Sequence, residues 1–341
     1  MKKVLILSAV IVLLVSCIIN IPPGTINQVD TLLDDQFVVS LAIGEDGTAW
    51  AGIIRDQYGL VKINPDGSTE IFDHTNSCLK DSANILDIDF DSEGNLWMLN
   101  DGLVCYDGST FTRIDSVEDN YKLVSIWSKM MIDDNDNIWV TAFDTSQDGS
   151  SLGIYSYNGE AFQKHEPTSL NSHSYIRITD IENDNSNNIW FSINGYHSQV
   201  VFLKYDGNNW TDYDTSDIGY NPYNITNIDF DSDDNLWFND DFLFSSIAYH
   251  GQAALFMYDK RNEAIPVAGN EYISAICIDE NDRVWASGFL PNLSVFDNGK
   301  WVSLNNDEAI PLCREMKFDE NDDLWYVSST GIMIYRYFQV K

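Results

Sequence analysis

Basic residues are scarce in this chain of 341 amino acids. It contains 19 Lys and Arg against 53 Asp and Glu, so its formal net charge is −34. Proteins that bind nucleic acids place Lys and Arg against the phosphate backbone, and this composition therefore excludes a nucleic-acid partner. Hydrophobic residues still make up 44% of the chain and aromatic residues 13%. That proportion supports a folded core and assigns the acidity to the solvated surface.

Helical patterns and common catalytic motifs are also lacking. No stretch keeps an apolar period of about 3.6 residues, which argues against a helical domain. The sequence contains no GxSxG, HExxH or phosphate-binding loop, and therefore none of the enzyme signatures built on them. The sequence favours a protein without catalytic activity over an enzyme.

Only five cysteines occur, and the four beyond the N-terminal region are scattered at Cys78, Cys105, Cys277 and Cys313. They show no CxxC spacing of the kind found in metal and redox sites. An oxidising envelope would permit disulfides, so their pairing stays open. Cys105 in "LVCYDG" and Cys277 in "AICIDE" stand where sister segments have apolar residues, and we expect both to be buried thiols.

The one long apolar run lies at the N-terminus. "MKK" precedes "VLILSAVIVLLV", which is too short for a comfortable membrane span, and Ser16 and Cys17 follow it. Residues 14–17, "LVSC", resemble a bacterial lipobox, whose cysteine is diacylated and becomes the first residue after cleavage. The resemblance implies a signal peptide at residues 1–16, lipidation at Cys17 and a tether at residues 17–25 in the cell envelope. The alternative is an ordinary secretory signal with an incidental cysteine.

A short acidic turn followed by tryptophan recurs along the rest of the chain. It reads "DSEGNLW", "DDNDNIW", "DNSNNIW", "DSDDNLW", "DENDRVW" and "DENDDLW", with a weaker copy "GEDGTAW". The tryptophans are Trp50, Trp97, Trp139, Trp190, Trp237, Trp285 and Trp325. The intervals between them are 47, 42, 51, 47, 48 and 40 residues. This period predicts one supersecondary unit per copy and seven units in all.

Each copy contains four short runs with the character of β-strands. In the second copy "ILDIDF" precedes the turn, "LWML" follows it, "GLVCYDG" comes next, and an aromatic residue, Phe111, marks the fourth run. The runs are rich in β-branched and aromatic residues and are bounded by Gly, Asn or Asp. Four antiparallel strands in each of seven copies predict an all-β fold, a seven-bladed β-propeller, over residues 26–341. The last copy has little room for a fourth strand, and we expect residues 26–34 to supply it and close the ring.

The residue types within the turn predict how it is built. The third residue before each Trp is Gly, Asp or Asn, all of which tolerate a positive φ. Six of the seven copies place Asp six residues before Trp, where a carboxylate accepts hydrogen bonds from the turn amides. We expect the Trp ring to pack between neighbouring blades.

The turn-and-Trp pattern resembles the repeats of two-component regulator propellers, in which Asp, Gly, Asn, an apolar residue and Trp precede Gly-Leu and an aromatic residue before Asp. It is also similar to the repeats of streptogramin-lyase-type propellers. The resemblance covers residues 36–341 and rests on scaffold positions. The first family implies solute binding by a periplasmic sensor domain. The second implies a metal-dependent lyase, for which His250 with Glu263 or Glu271 are the candidates.

Propeller topology places the connections between strands on two faces. We call the face with the first-to-second and third-to-fourth connections the turn face, and the face with the second-to-third and inter-blade connections the loop face. Variable loops on a rigid scaffold are where binding usually occurs. The candidate ligand-binding residues on the loop face are Tyr58, His74, Phe143, His165, His173, Tyr196, His197, Tyr220, Tyr223, Phe242, Tyr249 and His250. They predict an aromatic-lined mouth for a carbohydrate, a peptide or an envelope protein; the alternative is that these residues pack locally.

Alternate positions of the first strands predict the lining of a central channel. The positions ten and eight before Trp are polar in several copies, and apolar residues lie between them. The candidate channel-lining carboxylates are Asp87, Asp89, Asp180, Glu182, Asp229 and Glu315. They predict either a site for a cation or a basic ligand, or a water-filled channel in which Lys129 and Lys317 neutralise part of the charge.

The acidic turns also have the alternating oxygen spacing of a calcium loop, as in Asp91, Glu93 and Asn95. They lack the bidentate Glu that closes an EF-hand loop, so we expect structural turns and no bound cofactor. The sequence thus predicts a monomeric, lipid-anchored envelope propeller that binds a ligand or protein partner at its loop face, with the lipid as its membrane contact. A metal-dependent lyase or hydrolase and a purely structural assembly module are the alternatives.

Overall fold

The structure is a computed structural model that describes residues 28–54, 59–81, 84–115, 117, 121–123, 128–144, 152–167, 170, 176–195, 200–222, 224–240, 253–258, 264–269, 273–288, 293–297, 299–303 and 313–336. The predicted signal peptide, Cys17 and the tether lie outside these residues. The regular structure of the described residues consists of β-strands. No helix in this part of the chain has the length and apolar character that a membrane span requires.

The strands form seven antiparallel blades in chain order. Blade 1 contains β2 (Phe37–Ile43), β3 (Ala49–Ile54), β4 (Gly59–Ile63) and β5 (Thr69–Phe72). Blade 2 contains β6 (Ile88–Phe90), β7 (Leu96–Leu99), β8 (Leu103–Tyr106) and β9 (Phe111–Ile114). Blade 3 contains β10 (Tyr121–Lys122), β11 (Met130–Ile132), β12 (Ile138–Asp144), β13 (Leu152–Tyr157) and β14 (Phe162–His165). Blade 4 contains β15 (Ile176–Asn183), β16 (Ile189–Gly195), β17 (Val200–Tyr205) and β18 (Trp210–Asp214).

The remaining three blades follow the same order. Blade 5 contains β19 (Ile225–Phe230), β20 (Leu236–Asp240), β21 (Ala253–Tyr258) and β22 (Ala264–Gly269). Blade 6 contains β23 (Ile273–Ile278), β24 (Val284–Gly288), β25 (Leu293–Asp297) and β26 (Lys300–Ser303). Blade 7 contains β27 (Cys313–Phe318), β28 (Leu324–Ser328), β29 (Gly331–Arg336) and β1 (Gln28–Leu32). The predicted seven-bladed β-propeller is confirmed.

The N-terminal strand β1 closes the ring as the outer strand of blade 7. It pairs antiparallel with β29, from Gln28 opposite Arg336 to Leu32 opposite Ile332. An open ring would leave the edge of β29 without hydrogen-bond partners, and pairing with a strand from the other end of the chain removes that edge. The closure agrees with the prediction made for residues 26–34.

Blade 3 differs from the predicted four strands. Its innermost position is divided between β10 and β11, which both pair with β12. Leu123, directly after β10, is buried in the core shared by blades 2 and 3. Among the described residues, blade 3 is the blade whose innermost position is formed by two separate strands.

The repeated turn has the predicted backbone conformation. The third residue before each Trp has a positive φ between 56° and 81°, at Gly47, Gly94, Asp136, Asn187, Asp234, Asp282 and Asp322. In blade 5 one carboxylate oxygen of Asp231 accepts hydrogen bonds from the amides of Asp233 and Asn235. The other oxygen accepts a bond of 2.9 Å from Nε1 of Trp237. The amide bonds were predicted, whereas the indole bond was not.

The bond from indole to carboxylate recurs in six blades at 2.8–3.0 Å. Blade 1 has Gly44 where the other blades have Asp, and there Asp46 binds the amide and hydroxyl of Thr48 instead. Each Trp ring packs into the core shared with the next blade: Trp50 contacts Ile85 and Ile88 of blade 2. Trp325 in turn packs in the core of blade 1. The predicted position of Trp between blades is confirmed.

The residue with positive φ also links neighbouring blades. The amide of Ser92 in blade 2 donates to Oδ1 of Asp136 in blade 3 at 2.8 Å, and the Ser92 hydroxyl donates to Oδ2 at 2.6 Å. Ser232 of blade 5 makes the same pair of bonds to Asp282 of blade 6. An Asp at this position therefore serves both the turn and the inter-blade contact.

We predict that Asp231→Ala destabilises the fold by about 1–3 kcal/mol, because it leaves the buried indole N–H of Trp237 and a turn amide without their acceptor. Asp233→Asn, at the exposed neighbouring position, should stay within about 0.5 kcal/mol of the wild type. Urea unfolding followed by tryptophan fluorescence measures both values. Equal stability of the two variants would show that the carboxylate is not needed.

Candidate functional site

The innermost strands surround a central cavity of about 490 Å³. Its charged lining residues are Asp87, Asp89, Lys129, Asp180, Glu182, Asp229, Arg314, Glu315 and Lys317. All six carboxylates proposed from the sequence lie on this lining. They lie there because alternate side chains of a strand point to the same side, so the positions ten and eight before Trp face the axis together.

β-Bulges precede the channel positions in several blades. The pairing register shifts between Val38 and Ser40 in blade 1 and between Cys313 and Glu315 in blade 7. The extra residues, Val39 and Arg314, line the cavity as well. A bulge adds one residue to one strand and redirects a side chain. No glycine marks these positions, so the sequence offered no signal for them.

Most of the channel carboxylates accept a hydrogen bond from the neighbouring blade. Asp87 of blade 2 accepts from the amide of Met130 in blade 3 at 3.0 Å. Glu315 of blade 7 accepts from the amide of Leu41 in blade 1 at 3.0 Å. These bonds satisfy inner-strand amides that face another blade, and they join the blades near the axis.

Blades 4, 5 and 6 are joined in the same way. Asp180 accepts from the amide of Ile228 at 2.9 Å, and Asp229 accepts from the amide of Ile278 at 2.8 Å. The side chain of Glu182 makes no hydrogen bond to a described residue, while its backbone pairs with β16 opposite Trp190. Sequence reasoning placed these carboxylates at the axis but did not predict that they join the blades.

Burial in the channel raises the pKa values of Asp87, Asp180, Glu182, Asp229 and Glu315. Burial raises the pKa of Asp180 to about 6 and that of Asp229 to about 7. Burial, together with the charges of Asp180 and Asp229, raises the pKa of Glu182 well above its ordinary value. Carboxyl groups in this position hold protons near neutral pH.

Two lysines offset part of the negative charge. Burial alone would lower the pKa of Lys129, but the carboxylates of Asp87 and Asp180 outweigh it and raise that pKa. Lys317 pairs with Glu315 at 3.2 Å, and both side chains remain partly exposed to the cavity. Six carboxylates face three cationic side chains, and blades 1 and 6 contribute only uncharged lining residues. The cavity therefore favours water or a positively charged group over an anion.

No group of three or more His, Cys, Asp or Glu among the described residues is arranged to hold a metal ion. In the described part of the chain the four cysteines are free thiols, namely Cys78, Cys105, Cys277 and Cys313. Cys277 and Cys313 are buried, in agreement with the expectation for Cys277, and Cys105 is partly buried.

Eight of the twelve candidate loop-face residues lie outside the described residues. They are Tyr58, His173, Tyr196, His197, Tyr223, Phe242, Tyr249 and His250. Of the other four, Phe143 and His165 belong to blade 3, His74 follows the last strand of blade 1, and Tyr220 lies between blades 4 and 5. Phe143 is buried near the end of β12, and His74 lies half exposed with Nδ1 3.6 Å from a carboxylate oxygen of Asp81.

His165 and Tyr220 are packed side chains in this structure. His165 is 8% exposed, its Nε2 lies 2.9 Å from the Ser156 hydroxyl, and its ring lies 4.6 Å from that of Trp139. Burial lowers the pKa of His165 to about 4. The Tyr220 hydroxyl donates to buried Asp240 at 2.6 Å, and its ring packs on Phe256. Both residues therefore support the walls beneath the loop face.

Arg113 holds a loop-face connection that sequence reasoning missed. Its guanidinium donates to the carbonyl oxygens of Asn100 and Asp101 at 2.7 and 2.6 Å. Gly102, which completes this connection, has φ near 150°, and a Cβ there would lie 2.8 Å from the Ile114 carbonyl oxygen. The sequence signal for this role was the presence of an Arg in the predicted outer strand of a chain that contains few basic residues.

Comparison with known proteins shows likeness of fold without close likeness of sequence. No protein-family model matches the chain, and no curated protein matches it. The solved structure of streptogramin B lyase is 15% identical, with a TM-score of 0.63 over 90% of this chain and 96% of that chain. YCF48 bound to D1 peptide is 12% identical, with a TM-score of 0.63 over 91% of this chain and 95% of that chain.

A third similar structure is the extracellular domain of BT4673, a candidate one component system from B. thetaiotaomicron. It is 16% identical, with a TM-score of 0.66 over 93% of this chain and 41% of that chain. The present chain thus spans less than half of the BT4673 chain. At such identities the likeness shows the propeller fold alone.

We predict that His165 weakens the fold in acid. The pKa of His165, about 4, lies below the ordinary value of 6.5. The neutral form of this histidine therefore contributes stability above pH 6.5, and that stability is lost as the pH falls toward 4. His165→Gln should lose less stability over this range than the wild type. Chemical unfolding at several pH values measures the difference between the two proteins, while His74→Asn, at an exposed site, serves as the control. A wild-type pH dependence in His165→Gln would contradict the assignment.

Proposed function

We propose that this protein is a lipid-anchored β-propeller of the bacterial cell envelope that binds a ligand or a protein partner at its loop face. The observation that carries the proposal is the contrast between the two faces. All seven first-to-second connections have five residues, whereas the second-to-third connections range from two residues (329–330) to twelve (241–252). Uniform turns serve the scaffold, and unequal loops on a rigid scaffold serve recognition.

The turn face is occupied with internal bonds. In six blades the Asp at the start of the turn binds amides and the indole, and in several blades the residue with positive φ accepts a hydrogen bond from the preceding blade. Such side chains cannot bind a ligand without breaking these contacts. On the loop face Arg113 and Tyr220 also make internal bonds, but the connections there differ in length from blade to blade, and the acidic cavity lies at the centre of the ring.

The fold neighbours support an extracytoplasmic binding role. One of them is an extracellular domain, and another is a propeller bound to a peptide. We infer that the ligand is a peptide or protein segment, or a carbohydrate, and that the net negative cavity favours a segment carrying a positive charge. The protein acts as a monomer whose membrane contact is the lipid on Cys17.

A thermal-shift screen of the full chain against envelope oligosaccharides and peptides of either charge tests the binding proposal. We expect a saturable rise in Tm with one ligand class, and a preference for basic over acidic peptides. The rise should be lost in a variant with Tyr249→Ala and His250→Ala and kept in the turn-face control Asp233→Asn. Absence of any shift, or equal effects of the two variants, would count against the loop face.

The lipid anchor has its own test. We expect the wild type to fractionate with membranes and to carry a mass increase from diacylglycerol on the N-terminal peptide that starts at Cys17. Cys17→Ser should remove the modification and leave the thermal transition unchanged, because the residue precedes the propeller. Unmodified wild-type protein in the soluble fraction would support an ordinary secretory signal instead.

A metal-dependent lyase or hydrolase is the second candidate. Its support is the likeness to streptogramin B lyase over 96% of that chain, and its candidate residues His250, Glu263 and Glu271 lie outside the described residues. Loss of turnover in a chelator would favour this activity. Ligand binding that persists in a chelator favours the binding module.

A further inference from the structure

Three carboxylates from two neighbouring blades meet on one side of the central cavity. Asp180 and Glu182 lie two residues apart on β15 and line the cavity together. Asp229 on β19 of the next blade lies eight residues before Trp237, just as Glu182 lies eight residues before Trp190. Asp229 also lines the cavity. We call these three residues the Glu182 cluster.

The cluster holds the inner strands of three blades together. Asp180 of blade 4 accepts the amide of Ile228 in blade 5, and Asp229 of blade 5 accepts the amide of Ile278 in blade 6. Asp229 also accepts the amide of Phe230 through its other oxygen, at 2.7 Å. Two cross-blade bonds therefore depend on carboxylates that share one enclosed space with Glu182.

We propose that the Glu182 cluster is a proton-sensitive switch, which joins the inner strands of blades 4, 5 and 6 in mildly acidic solution and loosens them as the pH rises.

The groups that face the cluster leave it with excess negative charge. Blade 2 contributes Asp87 and Asp89, blade 3 contributes Lys129, blade 7 contributes Arg314, Glu315 and Lys317, and blade 6 contributes the thiol of Cys277. Asp231 lies close to Asp229 and adds to the negative charge there. Lys317 pairs with Glu315, and no described cation lies within 4.0 Å of a Glu182-cluster carboxylate. Full ionisation would thus place three negative charges together in a partly enclosed space.

Protons relieve this repulsion. Burial raises the pKa of Asp180 to about 6 and that of Asp229 to about 7, and burial together with the charges of Asp180 and Asp229 raises the pKa of Glu182, so the joined structure favours protons on the cluster that an open structure would release. A group with a higher pKa in the joined structure stabilises that structure at low pH. The stabilisation declines as the pH rises from the ordinary carboxyl pKa through the raised one. The protons pass to water in the cavity, and no other reactant is needed.

Amide hydrogen exchange of the full chain tests the switch. After correction for the intrinsic chemical rate, protection of the Ile228 and Ile278 amides should fall as the pH is raised from about 5 to about 8, by up to about tenfold per pH unit for one released proton. Glu182→Gln carries no charge and does not titrate, so it should flatten this dependence and raise protection at the upper pH. Glu93→Gln, at an exposed turn of blade 2 outside the cavity lining, should keep the wild-type slope.

A merely structural role gives a different pattern. If Glu182 only fills space, Glu182→Gln shifts the protection of both amides equally at every pH and leaves the slope unchanged. That result, or a wild-type slope of zero, would overturn the switch. Tryptophan fluorescence at each pH verifies that all three proteins remain folded. The measurement requires no ligand, so its outcome is separate from that of the binding proposal.

Discussion

The hydrogen bond from the Nε1 of the repeated tryptophan to the aspartate six residues earlier, present in six blades, is the contact on which the ring depends. A single blade cannot bury its own apolar faces, so each must present a large ring to its neighbour. The carboxylate fixes the direction of that ring with one oxygen and orders the turn with the other, as Asp231 does for Trp237. Local turn structure and packing between blades are thereby set by one side chain, and its repetition in six blades gives a closed ring with similar interfaces.

A second set of carboxylates acts near the axis, where the geometry is less favourable for charge. Asp87, Asp180, Asp229 and Glu315 satisfy main-chain amides of the following blade. An unpaired buried amide would be unfavourable, yet acidic acceptors in four blades that face one cavity bring like charges together. Lys129 and Lys317 offset part of this charge, Lys129 at Asp180 and Lys317 at Glu315. Burial still raises the pKa of all three carboxyl groups of the Glu182 cluster, so the requirement for amide acceptors itself creates a group that responds to pH.

The sequence predicted the features that depend on local pattern. The interval of 40 to 51 residues, the alternation within strands and the residue types of the turn were enough for the propeller, its closure by β1 and the position of the tryptophans. Cross-blade bonds such as Ser92 to Asp136 join residues 44 positions apart, and their geometry depends on the curvature of the ring, which no local pattern records. The bulges at Val39 and Arg314 and the interrupted inner strand of blade 3 gave no sequence signal. His165 was assigned to the loop face by its place in the chain, but an outer-strand residue beside the next blade is covered by that blade.

The turn face carries the structural contacts and the loop face carries the connections of varied length, and blade 5 connects the two. Loop residues 241–252 follow directly after Asp240, the last residue of β20. Asp240 accepts the Tyr220 hydroxyl and the amide of Asn224, which leads into β19. β19 carries Asp229, and its inner edge is held by Asp180. If β19 loosens at the axis, the bond between Asn224 and Asp240 changes as well, because Asn224 leads into β19. Asp240 is the residue at which the connection 241–252 begins. A ligand held by that loop would be sensitive to the protonation of the Glu182 cluster, and by thermodynamic reciprocity the ligand would shift the protonation in turn.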